Sequence, residues 1–132
     1  MKLPATNNSQ ILIIEDDQHI ATIFKMAFEK AGYDPLVIPN GRAAMECLLE
    51  MTPQLVILDL HLPFVSGREI LAYIEATERL TETITVIVSA DHFEIERLKQ
   101  EGYQGLLKPV GFRQMYNFAL QLHAAKTDDP ET

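Results

Sequence analysis

The chain has 132 residues, enough for one domain with a single core that needs neither disulfides nor a structural metal. Its composition, 47% hydrophobic and 23% charged, excludes a disordered tail, and its apolar runs are far too short to span a bilayer, which excludes a membrane protein. Nineteen acids against eleven bases leave a net charge of -8. That balance opposes direct binding to nucleic acid, because no cationic surface neutralises the phosphates.

The opening "MKLPATNNSQ" has no apolar core of the kind a signal peptide needs, so residues 1–9 are expected to be a disordered leader and the chain to be cytoplasmic. "QILIIEDD" predicts a first strand. Ile20, Ile23, Phe24, Ala27, Phe28 and Ala31 then follow helical spacing, with Asp17 as the N-cap and Gly32 just past the end. "PLVIP" predicts a second strand, and "NGRAAMECLLEM" a helix capped by Asn40 that turns Ala44, Cys47, Leu48 and Met51 inward. Cys47 is the only cysteine, so an internal disulfide is excluded, and its neighbours predict a buried structural thiol.

"LVILD" is the third strand, Ser66 opens a helix with Ile70, Leu71 and Ile74 on one stripe, and Ile84 to Ser89 form the fourth strand. A short helix from about Phe93 to Gln100, a strand near Gly105 to Leu107 and a helix from Phe112 to Ala124 complete the chain. The last helix is expected to turn Phe112, Met115, Phe118, Ala119 and Leu122 inward, and residues 125–132 to be a polar tail or linker stub. Five strands alternating with five helices predict an α/β domain over residues 10–124: a doubly wound, five-stranded parallel sheet with helices on both faces, flavodoxin-like. Ligands of such sheets bind beyond the carboxyl ends of the strands.

Those ends carry Glu15, Asp16 and Asp17, then Asp59, Ser89 and Lys108. Two carboxylates about 5 Å apart repel by roughly 3 kcal/mol at an effective dielectric near 20, so a cation must offset them. Lys108 can do part of this, and a hard divalent ion the rest. Oxygen ligands without nearby cysteines or paired histidines suit Mg²⁺ better than Zn²⁺. His19, His92 and His123 read as helix-surface residues, and Asp17 as a cap rather than a ligand.

Together "ILIIEDD", "LVILDLHLPFVSG", "VIVSA" and "LLKPV" resemble the receiver (response regulator) domains of two-component signalling, over about Gln10 to His123. The resemblance implies that Asp59 is the phosphoacceptor, loaded by a sensor histidine kinase or a phosphotransfer protein. It implies that Asp16, Asp59 and the backbone carbonyl of His61 hold Mg²⁺, with Glu15 acting mainly through a bound water. Ser89 would hydrogen-bond one phosphoryl oxygen and Lys108 pair with another. The implied function is a phosphorylation-dependent switch that changes binding to a downstream protein or to a fused output domain, and that catalyses only its own phosphorylation and dephosphorylation.

Three departures from the family pattern stand out. The interval from Ser89 to Lys108 is about one helical turn short. Gly105 occupies the position, three before the lysine, where the family tends to place an aromatic switch residue, and Tyr103 is the nearest aromatic that could substitute. Phe64 stands where the family often has a smaller residue, either covering the site or meeting a partner. Gly105 either alters signalling through this face or merely eases a shortened connection. His61 and Asp91 match positions that tune phosphoryl lifetime, although Asp91 can equally cap the fourth helix. Two other classes compete: a pseudo-receiver that binds a partner without phosphate, which retention of all five site residues opposes, and an enzyme on a similar sheet, which the lack of a Gly-rich phosphate loop opposes.

Overall fold

The computed structural model describes residues 10–127, so the expected leader and the last part of the expected tail lie outside the described residues. In chain order the elements are β1 (Ile11–Ile14), α1 (Gln18–Lys30), β2 (Leu36–Ile38), α2 (Gly41–Glu50), β3 (Leu55–Asp59), α3 (Gly67–Ala76), β4 (Ile84–Ser89), α4 (His92–Gln100), β5 (Gln104–Leu107) and α5 (Phe112–Thr127). A short 3-10 helix, Glu78–Leu80, joins α3 to β4. The strands form one parallel sheet in the order β2-β1-β3-β4-β5. The strand order therefore reverses next to β1, and the carboxyl ends of β1 and β3 lie side by side, with Ile14 opposite Leu58.

Alternation along each strand divides the core in two. Ile11, Ile13, Leu55, Ile57, Val86 and Val88 pack under Phe24, Ala27 and Phe28 of α1 and Met115 and Ala119 of α5. Leu12, Ile14, Val56, Leu58 and Ile87 face Ala44 and Leu48 of α2, Ile70 and Ile74 of α3, and Ile95 and Leu98 of α4. Burial on both faces explains why the strands read as unbroken apolar runs.

The helix boundaries follow from capping. Asp17 accepts the amides of His19 and Ile20, Asn40 that of Ala43, and Ser66 forms a capping box with Glu69. Helices α1 and α4 both end in a Schellman turn: Gly32 and Gly102 take positive φ, and the amides of Tyr33 and Tyr103 reach back to the carbonyls of Phe28 and Leu98. Helix α4 is short but regular, and α5 runs past Ala124 to Thr127.

Some side chains depart from expectation. Ile23 is 37% exposed, because α1 needs only the stripe of Ala21, Phe24, Ala27 and Phe28 to cover its half of the sheet. Cys47 is half-buried at the rim of its core cluster rather than enclosed, and burial together with Glu46 and Glu50 pushes its thiol pKa up. Met51, Phe112, Phe118 and Leu122 are likewise partly buried, at helix ends and edges. No helix among the described residues is long and apolar enough to cross a membrane.

Candidate functional site

Each expected site residue lies at or just beyond the carboxyl end of a strand. Glu15 and Asp16 follow β1, Asp59 ends β3, Ser89 ends β4, and Lys108 follows β5. Ligand oxygens of Glu15, Asp16 and Asp59 all lie within 4.8 Å of one another; Glu15 and Asp59 are buried and Asp16 is exposed, giving the cluster one open side. Lys108 bridges the two buried acids, its Nζ 3.2 Å from Glu15 Oε1 and 3.3 Å from Asp59 Oδ2. The Lys108–Pro109 peptide is cis.

Backbone amides supply further partners. The Asp17 amide donates to Glu15 Oε2, and the His61 amide to Asp59 Oδ1 at 2.9 Å. The contact of Lys108 with Glu15 lacks hydrogen-bond alignment, so Oε1 is a buried acceptor with no hydrogen-bond donor among the described residues. Burial first, and then the neighbouring Asp59, push the Glu15 pKa up to about 7, against the opposing pull of the Asp17 amide and Lys108. Burial works against the Lys108 ammonium too, but Glu15 and Asp59 outweigh it and hold its pKa above the ordinary lysine value. One ammonium among three carboxylates leaves a deficit of positive charge. An all-oxygen donor set with an orphaned buried oxygen can hold a hard metal ion.

Ser89 lies apart from this ammonium–carboxylate group. Along the strands Asp59 continues the face of Leu55 and Ile57, whereas Ser89 continues the face of Ile87. The Ser89 hydroxyl is fully buried, accepts the Asp91 amide at 3.0 Å and donates to Glu94 Oε1 at 2.7 Å. Glu94, on α4, also meets His61 Nε2 at 3.1 Å through Oε1 and the Arg68 guanidinium through Oε2. Burial alone would raise the Glu94 pKa, but the hydrogen bonds from Ser89, Arg68 and His61 outweigh it and hold it below the usual carboxylate range.

Sequence reading missed Glu94. Its signal is a glutamate on the inward stripe of a short helix, four positions before Leu98 and beside Ile95, where an apolar residue is the norm. Asp91 turns out to spend its carboxylate on the amides of Phe93 and Glu94, so it is the N-cap of α4.

The loop after Asp59 is clamped by two glycines. A Cβ on Gly67 would stand 2.4 Å from the Asp59 carbonyl oxygen and 2.5 Å from Leu60 Cα, and one on Gly41 would meet the Val65 carbonyl. Phe64 takes φ 71°, is 77% exposed and carries the Arg42 guanidinium 5.6 Å over its ring, so it leans toward the start of α2. Gly105 is buried opposite Ile87, and Ile95 of α4 fills the space its missing side chain leaves, 3.3 Å from where a Cβ would be. Tyr103 cannot replace an aromatic there: it precedes β5, four positions before the residue paired with Ser89, about 13 Å away along the strand.

Comparison with known proteins bears on the family and the fold. The model of the response regulator receiver domain matches residues 11–119. Sporulation initiation phosphotransferase F of Bacillus subtilis is 30% identical over 100 residues, 76% of this chain and 78% of that protein. The polar-differentiation response regulator DivK of Brucella anthropi is 28% identical over 103 residues, 76% of this chain and 84% of its own. Among solved structures, the signal receiver domain of a Luxo-type repressor protein from Vibrio parahaemolyticus superposes with a TM-score of 0.75 at 31% identity, covering 92% of this chain and 95% of that one.

Proposed function

Because the chain belongs to the response regulator receiver domain family, we propose that it is a phosphorylation-dependent signalling switch in which Asp59 accepts a phosphoryl group from a histidine kinase or a phosphotransfer protein. The observation that carries this reading is the buried Asp59 carboxylate at the end of a central strand, with the Lys108 ammonium 3.3 Å away and two further acids around it. A carboxylate is a weak nucleophile, and phosphoryl transfer is governed mainly by positioning and charge stabilisation.

An Asp59 oxygen attacks phosphorus as the bond from phosphorus to the donor nitrogen breaks, and the bonding electron pair leaves with the donor's imidazole. The product is an acyl phosphate, which water later cleaves to regenerate the carboxylate and release inorganic phosphate. Lys108 pairs with one phosphoryl oxygen and Ser89 donates its hydroxyl proton to another. The His61 amide orients the Asp59 carboxylate. Glu15, Asp16, Asp59 and the His61 carbonyl would hold Mg²⁺, whose hard positive charge neutralises the developing negative charge when bound. The acidic cluster and its orphaned oxygen support that assignment.

The domain so assigned spans residues 10–124 and acts in the cytoplasm on a downstream protein or an attached output domain. It turns over no external substrate beyond its phosphodonor. The test is incubation with Mg²⁺ and acetyl phosphate. Mass spectrometry should show the gain of one phosphoryl group by the wild type and none by Asp59→Asn. A wild type that takes up no phosphoryl group while remaining folded would leave a phosphorylation-independent interaction module as the better reading.

A further inference from the structure

A serine hydroxyl has one proton to donate, and in this chain that proton is already committed. Ser89 gives it to Glu94 Oε1 at 2.7 Å, while the lone pairs of the same oxygen take the Asp91 amide at 3.0 Å. The acceptor is no surface residue in passing contact: Glu94 is 7% exposed and sits on the inward stripe of α4 with Ile95 and Leu98. Its carboxylate gathers partners from three other segments, namely Ser89 at the end of β4, His61 two residues past Asp59, and Arg68 in the first turn of α3. We infer that Glu94 is a positioning residue that holds the Ser89 hydroxyl out of the reaction site, so that a phosphoryl group on Asp59 must compete with Glu94 for the same proton.

This inference rests on the reading of Asp59 as phosphoacceptor and adds to it a route for the signal. When Ser89 turns to the phosphoryl oxygen, Glu94 loses its most buried donor and is left with His61 and Arg68. The first turn of α4, the loop after Asp59 and the first turn of α3 then readjust together, because one carboxylate ties them. No aromatic on β5 takes part: Gly105 has no side chain to move and Ile95 occupies the space beside it. The shift therefore runs from β4 toward α3 and α4 rather than across β5. A ligand can bias two states only through the difference in its contacts with them, and the Ser89 hydrogen bond is such a difference.

The experiment titrates the chain with beryllofluoride in the presence of Mg²⁺ and reads the apparent dissociation constant from backbone amide shifts, for the wild type, Glu94→Ala, Glu94→Gln, Ser89→Ala and the Ser89→Ala/Glu94→Ala double variant. Freeing Ser89 by Glu94→Ala should tighten the mimic about tenfold, the size of one hydrogen bond to a charged group. Glu94→Gln, which keeps an acceptor of the same length, should fall between. In the Ser89→Ala background the Glu94 change should have no effect, since the proton in contention is gone. Unchanged or weaker binding by Glu94→Ala, or an equal gain with and without Ser89, overturns the inference. Should Glu94→Ala fail to fold, Glu94→Gln in both backgrounds decides it by the same criteria. Failure of the receiver reading shows separately, as absence of any Asp59-dependent binding by the wild type, and takes this inference with it.

Discussion

Two buried glutamates at the carboxyl edge of the same sheet are treated in opposite ways. Among the described residues Glu15 shares a single ammonium with Asp59 and keeps one oxygen without a hydrogen-bond donor, and its pKa rises to about 7. Glu94 has a hydroxyl, an imidazole and a guanidinium to itself, and its pKa is held down. Burial opposes ionisation at both positions, so the difference lies in the neighbours: Asp59 adds a like charge beside Glu15, whereas three donors surround Glu94. The undersupplied pocket has a place for an incoming cation. The supplied one is already closed and serves to hold its partners still.

The largest effect that could break this contrast comes from removing the Lys108 ammonium from the acid pocket. Lys108→Met, in chelator at pH 8, should cost about 3 kcal/mol by leaving the buried Glu15 and Asp59 carboxylates without their cation, measured by urea unfolding, and cost less at pH 5 where Glu15 takes up a proton. Equal losses at both pH values would show that Glu15 is not the strained group. The second effect is nearly as large and needs no mutation. Glu15 ionises near pH 7 in the fold against a reference value of 4.5. Between those values the folded chain holds a proton at Glu15 that the unfolded chain has lost, so this group's contribution to metal-free stability is fully present below 4.5 and is lost, by roughly 3 kcal/mol, as pH rises through 7. Adding Mg²⁺ should flatten that slope, because the ion stabilises the ionised form.

The sharpest comparison uses the same chemical change at both sites. Asp59→Asn removes a like charge beside Glu15 and should stabilise the metal-free chain by about 1 kcal/mol, whereas Glu94→Gln removes a charge that three donors satisfy and should destabilise it by about 1 kcal/mol. Thermal unfolding at neutral pH in chelator reads both, and shifts of the same sign would end the contrast. The smallest effect is expected of Arg68→Ala. Its guanidinium side chain is 48% exposed and screened by water, so the loss should stay near 0.5 kcal/mol, provided Ser89 and His61 still hold Glu94.

These differences mark how far a linear reading can go. The unbroken apolar strands, the caps at Asp17 and Asn40, and the acids and lysine at strand ends were all legible, because each is a local pattern with a local cause. Asp91 stood between two roles until its carboxylate was seen on the amides of Phe93 and Glu94. Tyr103 stood as a substitute for the missing aromatic until strand register put it at the far end of β5. Cys47 looked enclosed because its sequence neighbours are apolar, yet it lies at the rim of α2's buried stripe.

By itself the sequence determined the alternation of strands and helices, the parallel sheet and the set of charged residues that its carboxyl edge would collect. Periodicity and capping are short-range properties, and right-handed crossovers leave few ways to assemble such a chain. Only the tertiary structure decided how those charges are shared: that Lys108 spans Glu15 and Asp59, and that Ser89 faces Glu94 rather than joining them. Lys108 meets Asp59 across 49 positions, and Glu94 meets His61 across 33 and Arg68 across 26, through strand order and helix packing, and no local pattern records which of several nearby donors a buried carboxylate will take.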